Sequence, residues 1–122
     1  MYKRIISRID IKNNTLVKGI GLEGLRVLGS PREYIQTYIE DGIDEIYFQD
    51  VVASLYGRNS LNDIILETVK NSFVCIGVGG GIRTLNDMDE ILKSGADKLT
   101  INSAAVEDPK FIEVAAKKFG SS

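Results

Sequence analysis

Histidine and tryptophan are absent from the 122-residue sequence, and cysteine occurs once, at Cys75. Without histidine, the common His/Cys zinc sites cannot form, and catalytic proton transfer falls to Asp, Glu, Lys, Tyr or water. We therefore expect no metal and no cofactor. A single cysteine cannot form an internal disulfide, which favours a reducing, cytoplasmic compartment.

Long apolar runs and runs of basic residues are also missing. No stretch reaches the ~20 apolar residues that a membrane span requires, and the N-terminus lacks the apolar segment of a secretory signal. The net charge of −2 argues against nucleic acid and anionic membranes as partners. The composition, 43% hydrophobic and 26% charged, is that of one ordinary soluble globular domain.

Four β-like runs alternate with amphipathic segments, and this alternation predicts a parallel sheet. The β-like runs are Arg4–Ile11, Glu45–Asp50, Phe73–Val78 and Lys98–Asn102. The helical segments are Pro31–Glu40, Leu61–Lys70, Leu85–Lys93 and Pro109–Phe119. Ser30 and Thr84 stand at N-cap positions, and Asp87 completes a variant of the capping box after Thr84.

An internal repeat indicates a barrel more than a doubly wound sheet. Asp41–Ile46 matches Ser94–Leu99, with Gly42 and Gly95 at helix C-termini that favour the left-handed conformation. A complete (βα)8 TIM barrel takes about 250 residues, so four units predict a parallel (βα)4 half-barrel as one domain over residues 1–122. The connection Lys12–Gly29 is long, which is typical of functional or mobile loops.

Asp10 ends the first predicted strand, on the rim where barrel enzymes place their active sites. It shares one face of that strand with Arg4, Ile6 and Arg8, and it serves either as a loop cap or as a catalytic carboxylate. Lys18, in the long loop, either steers an anionic substrate or is an ordinary solvated lysine.

A glycine-rich turn follows the third predicted strand and leads into a helix. Backbone N–H groups around Gly80 and Gly81 can approach a phosphate closely, so we favour anion binding over a simple tight turn. Asn102 and Ser103 end the next strand. Alone they are typical of a helix cap, but beside the glycine turn they can complete a phosphate site.

Charged residues also begin three of the predicted strands: Arg4, Glu45 and Lys98. They gather on the opposite face of the barrel, its floor. There they form either a stabilising salt-bridge cluster or a gated opening.

Four segments resemble the cyclase subunit of imidazole glycerol phosphate synthase, and the resemblance covers all 122 residues in order. The segments are Lys3–Gly19, Gly42–Ser54, Gly77–Ile82 and Gly95–Pro109. The related isomerase of histidine biosynthesis shares the half-barrel architecture, but the patterns D-x-x-A-S at Asp50–Ser54 and I-N-S-A-A are more like the cyclase. The resemblance stops at Phe119–Ser122, where the two half-barrels of that family join.

The resemblance implies a lyase that uses ammonia to cyclise a bis-phosphorylated ribulosyl formimino aminoimidazole carboxamide ribotide. Asp10 matches one of two acid–base carboxylates, and Lys18 matches a substrate-contacting lysine of the mobile first loop. Gly81, Asn102 and Ser103 match the first of two phosphate sites. The second carboxylate and the second phosphate site belong to the other half.

The same resemblance implies a glutaminase partner that delivers ammonia through the floor. Arg4, Glu45 and Lys98 match three of the four charges that gate this entry. Asp97 matches a residue at the interface with the glutaminase.

Arg8 departs from the family, which commonly has a small residue there. Together with Ser54–Asn59 it resembles a branch of surface-polysaccharide biosynthesis that supplies ammonia for a sugar amide, and this is the first alternative. A non-enzymatic half-barrel assembly module is the second. For the chain alone we expect self-association through open edges and an uncovered apolar face, and substrate binding with little turnover.

Overall fold

The computed structural model describes residues 3–12, 15–20, 24–50 and 58–120, with the side chains of 12–29 and 51–60 left out of the description. Within these ranges the strands are β1 (Ile6–Lys12), β2 (Thr15–Ile20), β3 (Gly24–Gly29), β4 (Glu45–Asp50), β5 (Cys75–Gly79) and β6 (Lys98–Thr100). The helices in the same ranges are α1 (Pro31–Glu40), α2 (Arg58–Asn71), α3 (Leu85–Ser94), α4 (Ser103–Glu107) and α5 (Lys110–Phe119).

The predicted parallel sheet is confirmed. One sheet has the order β3-β2-β1-β4-β5-β6, and β1, β4, β5 and β6 run parallel. A helix follows β4, β5 and β6 directly along the chain, and α1 follows β1 after β2 and β3. Strands that are neighbours in the sheet and parallel need a crossover between them, and the helices provide it. The result is the expected (βα)4 arrangement.

The long connection after the first strand is not a loop, which corrects the expectation for Lys12–Gly29. Most of it forms the antiparallel strands β2 and β3, which extend the sheet beyond β1. Among the described residues, β1 pairs with β2 at Ile11 with Leu16 and at Lys12 with Thr15. The hairpin therefore joins the sheet at the C-terminal end of β1.

The two faces of the parallel strands differ sharply. Ile9, Ile46, Phe48, Ile76 and Val78 are fully buried and pack with apolar residues of the helices in one core. Because strand side chains alternate, the residues between them lie on the opposite face. That open face is the interior of a half-barrel.

Local signals place the ends of α1 and α3 within one residue of the prediction, whereas α2 begins at Arg58 rather than at the predicted Leu61. The Thr84 hydroxyl accepts a hydrogen bond from the N–H of Asp87 (3.1 Å), and the Asp87 carboxylate accepts one from the N–H of Thr84 (3.0 Å). Gly42 and Gly95 have φ of 84° and 115°, the left-handed conformation that ends a helix. Ser30 precedes α1 as predicted but makes no capping hydrogen bond with its side chain.

Within the described ranges, the helices are too short or too polar to cross a bilayer.

Candidate functional site

The register of the parallel strands arranges the open face in two rows of side chains. The lower row, nearer the strand N-termini, is Arg8, Tyr47, Gly77 and Lys98. The upper row is Asp10, Gln49, Gly79 and Thr100. Polar groups thus line a surface that the helices do not cover.

A pocket of about 440 Å³ opens at the carboxyl ends of β5 and β6. Its lining brings together Gly80 and Gly81 from the glycine turn with Asn102 and Ser103 from the end of β6. The sequence predicted this juxtaposition, because parallel neighbours end at the same edge of a sheet.

The glycine turn needs its glycines. Gly80 and Gly81 have φ of 91° and 67°, a region that other residues rarely adopt. A Cβ at Gly80 would also collide with the carbonyl oxygen of Asp50 and lie 2.8 Å from the Gln49 amide nitrogen. At these two positions the pocket wall is backbone without side chains, which allows an anion to approach closely.

Asn102 occupies the N-cap position of α4, yet its side chain makes no capping hydrogen bond. The backbone carbonyl oxygen of Asn102 accepts hydrogen bonds from the N–H groups of Ala105 and Val106, both at 3.0 Å. Asn102 and Ser103 are exposed on the pocket wall. The helix-cap interpretation thus does not account for the Asn102 side chain, which lines the pocket.

Asp10 contacts Arg8, a pocket residue on the same face of β1. The Arg8 Nε donates a hydrogen bond to Asp10 Oδ1 at 2.8 Å, and the side chains are 62% and 30% exposed. Arg8 itself lines the pocket. The predicted catalytic carboxylate and the predicted anion site are therefore joined by one guanidinium group.

Four further polar residues of the pocket wall were not predicted as site residues: Tyr47, Gln49, Arg83 and Thr100. The Tyr47 hydroxyl donates to Gln49 Oε1 at 2.8 Å, and its ring stands over Gly77 and Gly79. The available signal was alternation, since positions 47 and 49 must share the face of Glu45.

The three predicted floor charges form one cluster. Glu45 is 4% exposed, and its Oε2 lies 3.4 Å from Lys98 Nζ and 3.8 Å from Arg4 Nη1. Arg4 precedes β1 rather than beginning it, because that strand starts at Ile6. Two cations around one buried carboxylate close the floor at this point.

Cys75 lies directly beside Glu45 in the sheet register. Burial raises the pKa of the Cys75 thiol, and the carboxylates of Glu45 and Asp97 raise it further. The thiol is therefore held in its neutral form at neutral pH.

Asp97 has a structural partner. Its Oδ2 accepts the N–H of Ile76 at 2.8 Å, and its own N–H donates to the Ile76 carbonyl at 2.8 Å. Asp44, its counterpart in the internal repeat, accepts the N–H of Ile5 at 2.8 Å in the same way. The repeated Asp therefore fixes each turn to the start of the neighbouring strand.

Several sequence predictions concern side chains that lie outside the described ones. The Lys18 side chain, in β2, lies outside the described side chains, as does Lys12. The segment Ser54–Asn59 and most of Asp50–Ser54 also lie there.

The family of the chain is shown by its similarity to known proteins. A model of histidine biosynthesis proteins matches residues 4–122. The chain belongs to the histidine biosynthesis protein family. This is a TIM-barrel family, and the four βα units seen here are half of such a barrel.

Members of the histidine biosynthesis family resemble the chain along its whole length. It is 51% identical over 118 residues to imidazole glycerol phosphate synthase subunit HisF of Legionella pneumophila, covering 97% of the chain and 56% of the relative. It is 47% identical over 122 residues to HisF of Petrotoga mobilis, covering 100% of the chain and 48% of the relative. For HisF of Bacillus cereus the identity is 45%, over 99% of the chain and 48% of the relative. The chain spans about half the length of these relatives.

Proposed function

We propose that residues 1–122 form one half-barrel domain, the N-terminal half of a cyclase subunit of imidazole glycerol phosphate synthase. The observation that carries the proposal is the convergence of Gly80, Gly81, Asn102 and Ser103 on one pocket that Arg8 links to Asp10. Relatives that carry this name and match the whole chain support it.

The substrate we propose is the bis-phosphorylated ribulosyl formimino ribotide. One of its phosphates binds the pocket, where the glycine turn has no side chains to block its approach and where the Asn102 amide and the Ser103 hydroxyl donate hydrogen bonds. Asp10 exchanges protons at the centre of the substrate. The complementary carboxylate and the site for the other phosphate come from the second half-barrel, since a substrate with two terminal phosphates needs an anion site at each end.

The floor cluster is the proposed entry for ammonia from a glutaminase subunit. Arg4 and Lys98 hold Glu45 across the opening, and ammonia passes when this contact loosens. Lys18 contacts substrate from the hairpin. Asp97 faces the glutaminase with the carboxylate oxygen that Ile76 does not use. The enzyme needs no cofactor and works in the cytoplasm, as the single cysteine favours.

The chain alone is proposed to associate through the free edge of β6. An apolar groove of about 400 Å³ runs beside this edge, lined by residues that include Leu99, Ile112 and Phe119. Among the described strands β6 pairs only with β5, and an open strand edge next to apolar surface favours pairing with a second copy or with the second half.

The relatives give no support to the polysaccharide branch or to a non-enzymatic module, since those described above are named as subunits of the synthase.

The test is turnover with free ammonium, for the chain alone and with the second half-barrel supplied. We expect substrate binding with little turnover for the chain alone, and restored cyclisation when the second half is added. Asp10→Asn should abolish that restored cyclisation and leave binding. Full cyclisation by the Asp10→Asn variant would contradict the proposal.

A further inference from the structure

Arg8 is the residue of the open face whose position the family resemblance does not explain. It stands in the middle of β1 with its side chain 62% exposed, and it lines the same pocket as the glycine turn and Ser103. An ion pair that is this exposed contributes little to stability, so the contact with Asp10 gives no sufficient structural reason for an arginine here.

The geometry divides the donors of the guanidinium between two tasks. A guanidinium has five N–H donors in a planar fork, and the Nε–H is the one that reaches Asp10. Among the residues that the structure describes, Asp10 is the recorded partner of Arg8. The Nη donors are therefore available to the pocket, and their fork suits the oxygens of a phosphate.

Resting on the function proposed above, we propose that Arg8 is a specificity-determining residue that binds the phosphate monoester in the pocket and holds Asp10 toward it. The guanidinium then bridges the catalytic carboxylate and the anion. The two anions use different N–H donors but share the charge of one cation, so binding and the position of Asp10 are coupled.

The experiment titrates inorganic phosphate into the chain and into its Arg8→Met variant, followed by calorimetry and by the ¹H–¹⁵N signal of the Arg8 Nε–H group. We expect Arg8→Met to weaken phosphate binding about tenfold, because a charge-assisted hydrogen bond is lost. Arg32→Met is the matched control, since Arg32 also gives its Nε–H to an exposed carboxylate, that of Glu67, but does not line this pocket. It should leave the affinity unchanged.

Asp10→Asn tests the bridge itself. We expect it to strengthen phosphate binding severalfold where Arg8 is present, because the charge of the guanidinium is then no longer shared with a carboxylate, and much less in the Arg8→Met background. An equal effect of Asp10→Asn in both backgrounds would overturn the coupling. Arg83→Met removes another charge from the pocket wall and should leave the effect of Asp10→Asn as it is in wild type.

The outcomes separate this inference from the proposed function. If Arg8→Met binds phosphate like wild type while Asn102→Ala/Ser103→Ala does not, the anion site stands and the role of Arg8 is refuted. If wild type shows no saturable phosphate binding, the anion site and the role of Arg8 are both refuted.

Discussion

On the open face, the Tyr47 side chain occupies the space that a side chain at position 79 would need. A Cβ at Gly79 would overlap the Tyr47 hydroxyl and lie 3.0 Å from both its Cζ and Gln49 Oε1. We expect Gly79→Ala to displace the Tyr47 ring and to lower the free energy of unfolding by ~1–3 kcal/mol, the usual cost of overpacking. Urea unfolding measures this. Tyr47→Val should remove most of the cost in the double variant, and no recovery would show that the contact with Gln49 is the cause instead.

The alkylation of Cys75 depends on pH, and the floor cluster influences this dependence through the pKa of the thiol. Because the pKa of its thiol is raised by burial and then by Glu45 and Asp97, its thiolate forms only at higher pH than in an unfolded peptide. Alkylation by iodoacetamide should therefore begin at higher pH in the folded chain than in the urea-unfolded chain. Glu45→Gln should lower the pKa and shift the onset back toward that of the unfolded chain. An onset at lower pH in the folded chain would contradict this.

The residues of the site were predictable to different degrees. Gly80, Gly81, Asn102 and Ser103 stand in a contiguous turn and at a strand end, so sequence order and the geometry of parallel strands suffice to bring them together. Tyr47 was missed because a tyrosine in a strand is usually interpreted as a core residue. Alternation along β4 nevertheless places Tyr47 and the buried Phe48 on different faces of the sheet.

Elements with local signals were predicted closely, and the one without such signals was missed. The caps at Thr84 and Gly95 depend on neighbouring residues, and α3 ends within one residue of its prediction. The hairpin β2–β3 carries glycines at 19, 21, 24 and 29, which favour a loop. Pairing with β1 overrides that preference, and such pairing is not visible in local sequence.

The repeated turns before β4 and β6 give a prediction at the scale of elements. Asp97→Ala removes the acceptor of the part-buried Ile76 N–H, and we expect a loss of ~1–2 kcal/mol in the free energy of unfolding. Asp44→Ala removes the equivalent but exposed bond to Ile5, so it should cost less. Thermal unfolding of both variants measures the difference. Equal, negligible effects would leave Asp97 with a role only at the proposed partner interface.

The whole molecule is a half-barrel whose interior is open and largely polar. The uncovered apolar face expected from the sequence is not found on the described strands, where Arg8, Asp10, Tyr47 and Gln49 point outward from the sheet. Apolar surface is instead found at the β6 edge beside α5. A closed barrel needs eight βα units, so the sequence of these four predicts the strands but not how a barrel closes.

Self-association of the chain alone is testable by sedimentation at micromolar concentration. We expect a dimer, because the β6 edge and the neighbouring groove are otherwise left to water. Ile112→Lys, in that groove, should shift the chain toward monomer, while Val106→Lys, exposed outside the groove, should not. A wild-type monomer at all concentrations would refute the proposed association.

The central claim is that the carboxyl ends of β5 and β6 form a phosphate site for a bis-phosphorylated ribotide. It is tested most directly by titrating that ribotide, with inorganic phosphate as competitor, into wild type and Asn102→Ala/Ser103→Ala. Asn86→Ala, exposed on α3 outside the pocket, is the control. We predict saturable binding that phosphate displaces and that the double variant weakens tenfold or more, by about the loss of one charge-assisted hydrogen bond. Binding that is unchanged in the double variant would contradict the account.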